Sequence, residues 1–387
     1  MKFIKFIAAA VVALSMVACG DNNATDTPAE KSPFEVSANC EFMQIGVDKA
    51  YFIVKLDGVL LDPAELAFFD TANNLVTMGT LEVELDGQKV LVPEWVPTQP
   101  EPKSFWVAYK SYSNKKEPVT ITAVDFALPE SPVDAEPENV SFKKRTFFNQ
   151  HTGAGCGYCP FAKAALYEVA ADEEYGDKFI NAAIYTFDSK EPMYPSKYGS
   201  IATVFGVSSW PTLIYDMKSS FGTGKVHEQN VGFVKQAIDD SQSEAAKAGI
   251  AASIASDSGD TFVARASVKA AVDGEYFVGA WLVEDGIEHT QSNYGCEADI
   301  DFNIHNNVLR IADSGDYFYG HSLGAMKAGE IKEKLFTMTL NTTGKNAWVK
   351  ENCRMIFFVS AKVGNKVIVT NCIGNDIYSE SIAFDYE

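Results

Sequence analysis

Alternating apolar and polar residues in the first third of the chain predict β-strands. Two alternating runs, residues 51–56 and 81–85, each end at an Asp-Gly pair, Asp57-Gly58 and Asp86-Gly87. Asp-Gly after such a run is typical of a tight hairpin turn, because both turn residues must take a positive φ. Further strand-like runs follow, and the pattern predicts an antiparallel, immunoglobulin-like β-sandwich over residues 34–128.

The pattern changes after a linker, residues 129–140, which is rich in proline and acidic residues. In residues 141–249 strand-like runs alternate with helical spacing, as in Phe161, Ala165 and Val169. Strands separated by helices predict a partly parallel sheet. From residue 250 to residue 387 the runs are strand-like again, which predicts a second β-sandwich. The predicted fold class is therefore multidomain α+β, with an α/β domain between two sandwiches.

Length and charge limit the possible functions. The chain has 387 residues, more than one hydrophobic core ordinarily holds, and this length predicts two to three domains. The formal net charge is −20. So acidic a surface repels phosphate backbones, which excludes nucleic acids as partners.

The N-terminus carries an export signal rather than a folded element. Lys2 and Lys5 precede a short apolar run, which ends in small residues and Cys19. This resembles a bacterial lipoprotein signal, residues 1–19, in which Cys19 is lipidated, followed by a polar tether, residues 20–33. The alternative is an ordinary secretory signal with a chance cysteine. The resemblance implies a protein of the cell envelope, at the periplasmic or surface face of the outer membrane, held to the membrane by a lipid anchor only.

The pair Cys156 and Cys159 is the candidate catalytic site. It lies between a strand-like and a helix-like run, where the positive end of a helix dipole stabilises a thiolate. We assign Cys156 as the nucleophile, with an open approach across the preceding glycines, and Cys159 as the resolving thiol. Pro211, just before a short strand, is a candidate cis residue that helps to seat a substrate chain.

Other chemistry is weaker in this sequence. The cysteine pair has the alternative of an inert structural disulfide, and a zinc site lacks two further ligands at suitable spacing. We predict no cofactor and no metal; the alternating acidic residues 297, 299 and 301 are interpreted as a solvated loop rather than a calcium site. His151 is either a tuning residue for Cys156 or a polar strand end. The remaining cysteines allow three pairings, which the sequence leaves open: Cys40, Cys296, Cys353 and Cys372.

The order of strand, Cys-X-X-Cys helix, strand, helix, X-Pro-Thr strand and helix resembles the thioredoxin fold. Residues 152–160, 205–212 and 305–310 resemble the Omp28-related lipoproteins of Bacteroidetes. The resemblance implies a thioredoxin-like domain at 141–249 and a lipid-anchored protein. We expect thiol–disulfide exchange through Cys156, Cys159 and Pro211, with protein thiols or disulfides of the envelope as partners. The alternative is a surface binding or adhesion protein in which that domain is a non-catalytic scaffold. The sequence leaves the oligomeric state open.

Overall fold

The computed structural model describes residues 33–256, 259–377 and 381–387. The predicted signal peptide, Cys19 and nearly all of the predicted tether lie outside these residues. The chain divides into two units, residues 1–128 and 129–387. The described residues form mostly strands in several sheets, with few helices, so the β-rich architecture predicted from the pattern is present.

The described part of the first unit, residues 33–128, is built from short strands and one short 3-10 helix, Pro63–Glu65. Its strands are β1 (Phe34–Ala38), β2 (Phe42–Gln44), β3 (Ala50–Leu56), β4 (Val59–Leu60), β5 (Ala67–Phe69), β6 (Leu75–Val76), β7 (Gly79–Leu85), β8 (Gln88–Trp95), β9 (Glu101–Tyr109), β10 (Tyr112–Ser113) and β11 (Val119–Val124). They form one sheet in the order β1-β3-β8-β7 with β4 on β3. The other sheet has the order β2-β11-β9-β5-β6 with β10 on β9.

The two sheets of the first unit enclose one apolar core. Phe52 of β3 and Phe105 of β9 are fully buried, and their ring centroids are 5.1 Å apart. Both predicted Asp-Gly hairpins are confirmed: β3 pairs with β4 and β7 with β8 across two-residue turns. Asp57 and Gly58 have φ of 51° and 78°, the positive values that this turn requires.

The second unit combines helices with longer strands. Its helices are α1 (Cys159–Ala170), α2 (Ile201–Val204) and α3 (His227–Gln242), with 3-10 helices at Ser196–Tyr198 and Lys350–Asn352. Its strands are β12 (Thr146–Thr152), β13 (Phe179–Tyr185), β14 (Thr212–Tyr215), β15 (Ser219–Gly222), β16 (Ala248–Ser256), β17 (Thr261–Ala270), β18 (Gly274–Glu284), β19 (Ile287–Glu288), β20 (Ile304–His305), β21 (Val308–Asp313), β22 (His321–Met326), β23 (Ile331–Thr339), β24 (Cys353–Val363), β25 (Lys366–Asp376) and β26 (Ser381–Ile382).

A long sheet, here called the central sheet, runs through the second unit in the order β15-β14-β12-β13-β21-β18-β24-β25, with β22 on β18. Strands β12 and β13 are parallel, and β14 is antiparallel to β12. The parallel pairing is the one that the alternation of strands and helices predicts. Strand β13 continues to β21 through a single parallel pair, Ala183 with Val308.

Strand β12 is buried on both faces, although five of its seven residues are polar. Phe148 faces a core shared with Ala165 of α1 and Val234 of α3. Phe147 points to the opposite face, because successive side chains of a strand alternate, and packs against Trp281 of β18. The strand that leads to Cys156 is therefore fixed by packing from two sides.

A smaller sheet, here called the outer sheet, has the order β23-β17-β16-β26 and packs on the far part of the central sheet. Their shared core includes Val268 of β17, Tyr276 of β18 and Phe357 of β24. Two layered sheets thus follow residue 250. One of them is continuous with the strands before residue 249, so the segments on either side of the predicted boundary share a sheet. The predicted division of the chain at that boundary stays a prediction.

The hairpin of β24 and β25 shows how local geometry changes a register. Val363 pairs with Lys366 across a two-residue turn, which alone would place Cys353 opposite Asp376. A bulge between Val359 and Ser360 shifts the register by one, so that Arg354 pairs with Asp376. The cysteines whose pairing the sequence left open are free thiols in the structure: Cys40, Cys296, Cys353 and Cys372.

Candidate functional site

A tight turn between β12 and α1 holds the two candidate cysteines. The backbone N–H of Cys156 donates to Gly153 O at 3.2 Å, and that of Cys159 donates to Cys156 O at 3.2 Å. Cys156 and Cys159 form a disulfide. Helix α1 begins at Cys159, so this cysteine is the first helical residue. Both sulfurs therefore lie at the positive end of the helix dipole.

The approach to the cysteine turn (residues 153–159) is closed, contrary to the expectation from its glycines. Cys156 is 4% exposed. A Cβ on Gly153 would meet the Cβ of Phe187 at 2.2 Å, and one on Gly155 would meet its ring at 3.3 Å. Gly153 is required by the close approach of Phe187, because no larger residue fits beneath that side chain, whereas a methyl group at Gly155 would need only a small shift of the ring.

Residues 291–294, here called the cover segment, lie across the cysteine turn. The Gln291 side-chain nitrogen, Nε2, lies 3.0–3.2 Å from four backbone carbonyl oxygens, three of them in the turn, and its two N–H groups are shared among them. The accepting oxygens belong to Gly153, Ala154, Cys156 and Ser292. One amide thus links the turn to a segment about 135 residues further along the chain.

The backbone of the cover segment also pairs with the turn. Ser292 N–H donates to Ala154 O at 2.8 Å, and Tyr294 N–H donates to Gly157 O at 2.9 Å. The Tyr294 ring lies directly over Gly157, where an added Cβ would meet it at 2.5 Å. The cover segment, which precedes the acidic residues 297, 299 and 301, therefore forms one wall of the site.

The predicted proline loop lies at the same end of the central sheet. The Trp210–Pro211 peptide bond is cis, as expected from its place before a buried strand. Trp210 Nε1 donates to Thr186 Oγ1 at 3.2 Å. The Trp210 and Phe187 rings meet edge-on, with their centroids 5.9 Å apart. Phe187 thus touches both the cysteine turn and the proline loop, and it brings the two predicted parts of the site together.

A small polar cavity lies on the inner side of Cys159. About 10 Å³ is open to the centre of a water molecule, which suits about one water. Lys163, one helical turn after Cys159, lines the same cavity. Its Nζ donates to the carbonyl oxygens of Asp301, Phe302 and Ile304 at 3.3, 3.2 and 2.5 Å. Burial lowers the pKa of Lys163 to about 8.

A buried pair of side chains, Tyr185 and His305, lies beside this cavity, which Tyr185 lines. His305 Nε2 lies 2.9 Å from His289 O; since a carbonyl only accepts, Nε2 carries the proton. Its Nδ1 therefore accepts from the Tyr185 hydroxyl at 2.6 Å. Burial lowers the pKa of His305 to about 4, and burial raises the pKa of Tyr185 far above its usual value. Both groups are uncharged near neutral pH.

His151 lies inside β12 rather than on the site surface. It is fully buried, and its Nδ1 is 3.4 Å from Thr186 Oγ1. Burial lowers the pKa of His151 to about 3, so the ring is neutral and brings no positive charge to lower the pKa of Cys156. Through Thr186 the ring supports Trp210 and the proline loop.

Several residues of this site carry no signal in the sequence. Gln291 and Phe187 contact the turn only through the fold, and nothing in their local pattern marks them. Lys163 has a detectable signal, because it is the only charged residue in the apolar run from residue 159 to residue 166 and lies four residues after Cys159. Of the other cysteines, Cys296 packs against Phe161 and Ala164 of α1. In the described part of the chain, no group of three or more His, Cys, Asp or Glu residues is arranged to hold a metal ion.

No protein-family model matches the chain, and no curated protein does. Solved structures similar to it include HBP35 of Porphyromonas gingivalis, at 15% sequence identity and a TM-score of 0.51 over 61% of this chain and 76% of that chain. A domain of the outer membrane lipoprotein Omp28 from the same organism matches at 19% identity and a TM-score of 0.24, over 34% and 88%. The similarity to HBP35 is a similarity of fold alone. Across the described residues, no helix has the length and apolar composition to span a membrane.

Proposed function

We propose that this chain is a thioredoxin-like, lipid-anchored protein of the cell envelope that exchanges thiols and disulfides through Cys156 and Cys159. The observation that carries the proposal is the Cys156–Cys159 disulfide at the start of α1, with Phe187 joining it to the Trp210–Pro211 loop. A helix N-terminus favours thiolate, the reactive form of cysteine.

The proposed exchange uses both sulfurs and balances without a cofactor. In the reduced protein the Cys156 thiolate attacks one sulfur of a substrate disulfide, forms a mixed disulfide and releases the other substrate sulfur as a thiolate. The Cys159 thiolate then attacks Cys156 Sγ and releases the second substrate thiolate. The substrate gains two electrons, and the protein ends with the Cys156–Cys159 disulfide. The reverse sequence oxidises a dithiol substrate.

We extend the proposal to Pro211 and to Cys19. Pro211 helps to seat the extended substrate chain beside Cys156. Cys19 carries the lipid, and the protein belongs with the Omp28-related envelope lipoproteins at the outer membrane, with protein thiols or disulfides there as partners. The lipoprotein-like signal and the motifs of residues 152–160, 205–212 and 305–310 support this part of the proposal.

The test is reduction of a protein disulfide by the reduced full-length protein. We expect Cys156→Ser to abolish the reaction, because it removes the nucleophile. Cys159→Ser should stop after the first step and accumulate a mixed disulfide, since no resolving thiol remains. Cys40→Ser is the matched control, since that free thiol lies in the first unit, and it should keep wild-type rates. Equal rates for wild type and Cys156→Ser would remove the proposal.

A second candidate function is surface binding or adhesion, with the α/β part as a non-catalytic scaffold. The 4% exposure of Cys156 beneath the cover segment favours it, because an inert disulfide needs no access. In a pull-down from envelope extracts, a Cys156→Ser/Cys159→Ser variant that retains every partner would support binding alone. Loss of all partners in that variant would count against it.

A further inference from the structure

The cover segment is joined to the cysteine turn by two backbone hydrogen bonds, although neither segment is a β-strand. Ser292 N–H and Tyr294 N–H donate to Ala154 O and Gly157 O at 2.8 and 2.9 Å. These contacts use backbone groups on both sides. An edge that accepts backbone N–H groups binds extended polypeptides with little regard to their sequence.

Aromatic side chains surround this edge and remain open to solvent. Tyr158 is 43% exposed, Phe187 45% and Tyr294 59%. The Tyr294 ring meets the Tyr158 ring edge-on at 5.4 Å, with Lys225 Nζ 5.5 Å from the centroid of the Tyr158 ring. Once the cover segment leaves, the rings of Tyr158 and Phe187 would provide apolar contact for the side chains of a bound chain.

We propose that the backbone edge of residues 153–157, flanked by Tyr158 and Phe187, is a polypeptide-binding surface whose present occupant is the chain's own cover segment. The partner is an extended, unfolded polypeptide segment that displaces residues 291–294 and pairs with Ala154 and Gly157. This inference deepens the proposed function by naming its substrate class, and it rests on that function for the chemistry that follows binding.

The cover segment and residues 301–304, which follow it in the chain, are held by different contacts. Lys163 fixes residues 301, 302 and 304 through their carbonyl groups, and Phe302 packs on the α1 cluster. Residues 291–294 are joined to the turn by one side-chain amide and two backbone bonds. Displacement therefore frees residues 291–294 while residues 301–304 stay on α1.

Hydrogen exchange of the oxidised, full-length protein tests the inference with an unfolded polypeptide whose cysteines are carboxymethylated. That probe has no thiol or disulfide, so the result is independent of redox activity. Addition of the probe should speed amide exchange at Ser292 and Tyr294 and leave Ile304 unchanged. Slower or unchanged exchange at Ser292 and Tyr294 would overturn the proposal.

The Gln291→Ala variant gives a second measurement. Loss of its amide should raise the rate at which a small phosphine reduces the Cys156–Cys159 disulfide by about tenfold, about 1.4 kcal/mol, because the cover opens more often. Gln229→Ala, on the exposed side of α3, is the matched control and should keep the wild-type rate. Equal rates for Gln291→Ala and wild type would also overturn the proposal.

Gly157→Ala opens the cover by a different route, since its new Cβ collides with the Tyr294 ring. It should speed exchange at Tyr294 without added polypeptide, and wild-type exchange there would contradict the inference. The two proposals fail separately. Displacement by the blocked polypeptide together with no disulfide exchange would leave a binding surface without catalysis, whereas exchange without displacement would leave catalysis and remove this surface.

Discussion

Two buried histidines set the residue-scale response of this protein to acid. Burial lowers the pKa of His151 to about 3 and of His305 to about 4, whereas an imidazole in an unfolded chain has a pKa of about 6.5. Below that value the unfolded chain binds protons that the folded protein does not. Their stabilising effect is therefore complete above pH 6.5 and is lost as the pH falls toward the folded values.

We predict that His151→Phe weakens this acid response. Between pH 7 and pH 5 each buried histidine lowers the free energy of unfolding by up to about 2 kcal/mol, so the variant should lose about 2 kcal/mol less than wild type over that interval. Urea unfolding at several pH values measures it. Above pH 7.5 the difference between variant and wild type should stay constant, and equal losses between pH 7 and pH 5 would contradict the assignment.

At the residue scale, the sequence predicts which residues form the disulfide and the cis peptide bond, but it does not predict how far the cysteine turn is exposed to solvent. The spacing of Cys156 and Cys159 and the place of Pro211 predict a disulfide and a cis bond, and both are present. Local spacing does not show that Phe187 and Gln291 lie over the turn, because those contacts depend on how distant strands pair. Gly153, taken as part of an open approach, is small because Phe187 packs on it.

At the scale of single elements, two exposed glycines give opposite predictions for one substitution. Gly232 lies inside α3 with open space around it, whereas Gly206, just after α2, has a φ of +66°. Gly232→Ala should stabilise the protein by about 1 kcal/mol, because alanine loses less backbone entropy in a helix. Gly206→Ala should destabilise it by about 1 kcal/mol, because a Cβ is strained at positive φ. Urea unfolding of both variants is the measurement, and shifts of the same sign would refute this explanation.

Element types and their order follow from the sequence more closely than their register does. The alternating runs and Asp-Gly pairs predict the hairpins of the first unit, and β12, α1 and β13 lie where the pattern indicates. The bulge between Val359 and Ser360 has no counterpart in the alternation, so the register of β24 and β25 differs by one. A bulge depends on local packing and twist, which hydrophobic periodicity does not encode.

At the scale of the second unit, the central sheet joins segments that the sequence pattern separates. Phe147 and Ile184, from before residue 249, share one buried cluster with Trp281, Phe358 and Cys372, from after it. Composition and periodicity identify each strand but not its neighbours in a sheet. The continuous core is therefore the feature that the sequence leaves out.

We predict that a fragment of residues 129–249 does not fold alone, because removal of β16 to β26 exposes that cluster to water. The fragment should bind a hydrophobic dye and lack a cooperative thermal transition. Residues 129–387, which retain both sheets, should unfold cooperatively under the same conditions. A cooperative transition in the shorter fragment would show that the segment has a sufficient core of its own.

The reduction potential of the Cys156–Cys159 pair tests the central claim most directly. Equilibration of the full-length protein with thiol buffers of known potential, followed by alkylation and mass analysis, measures it. A site that exchanges with protein thiols should lie in the range of about −120 to −270 mV, as thioredoxin-like exchangers do. A value below about −300 mV would identify a structural disulfide and contradict the catalytic account.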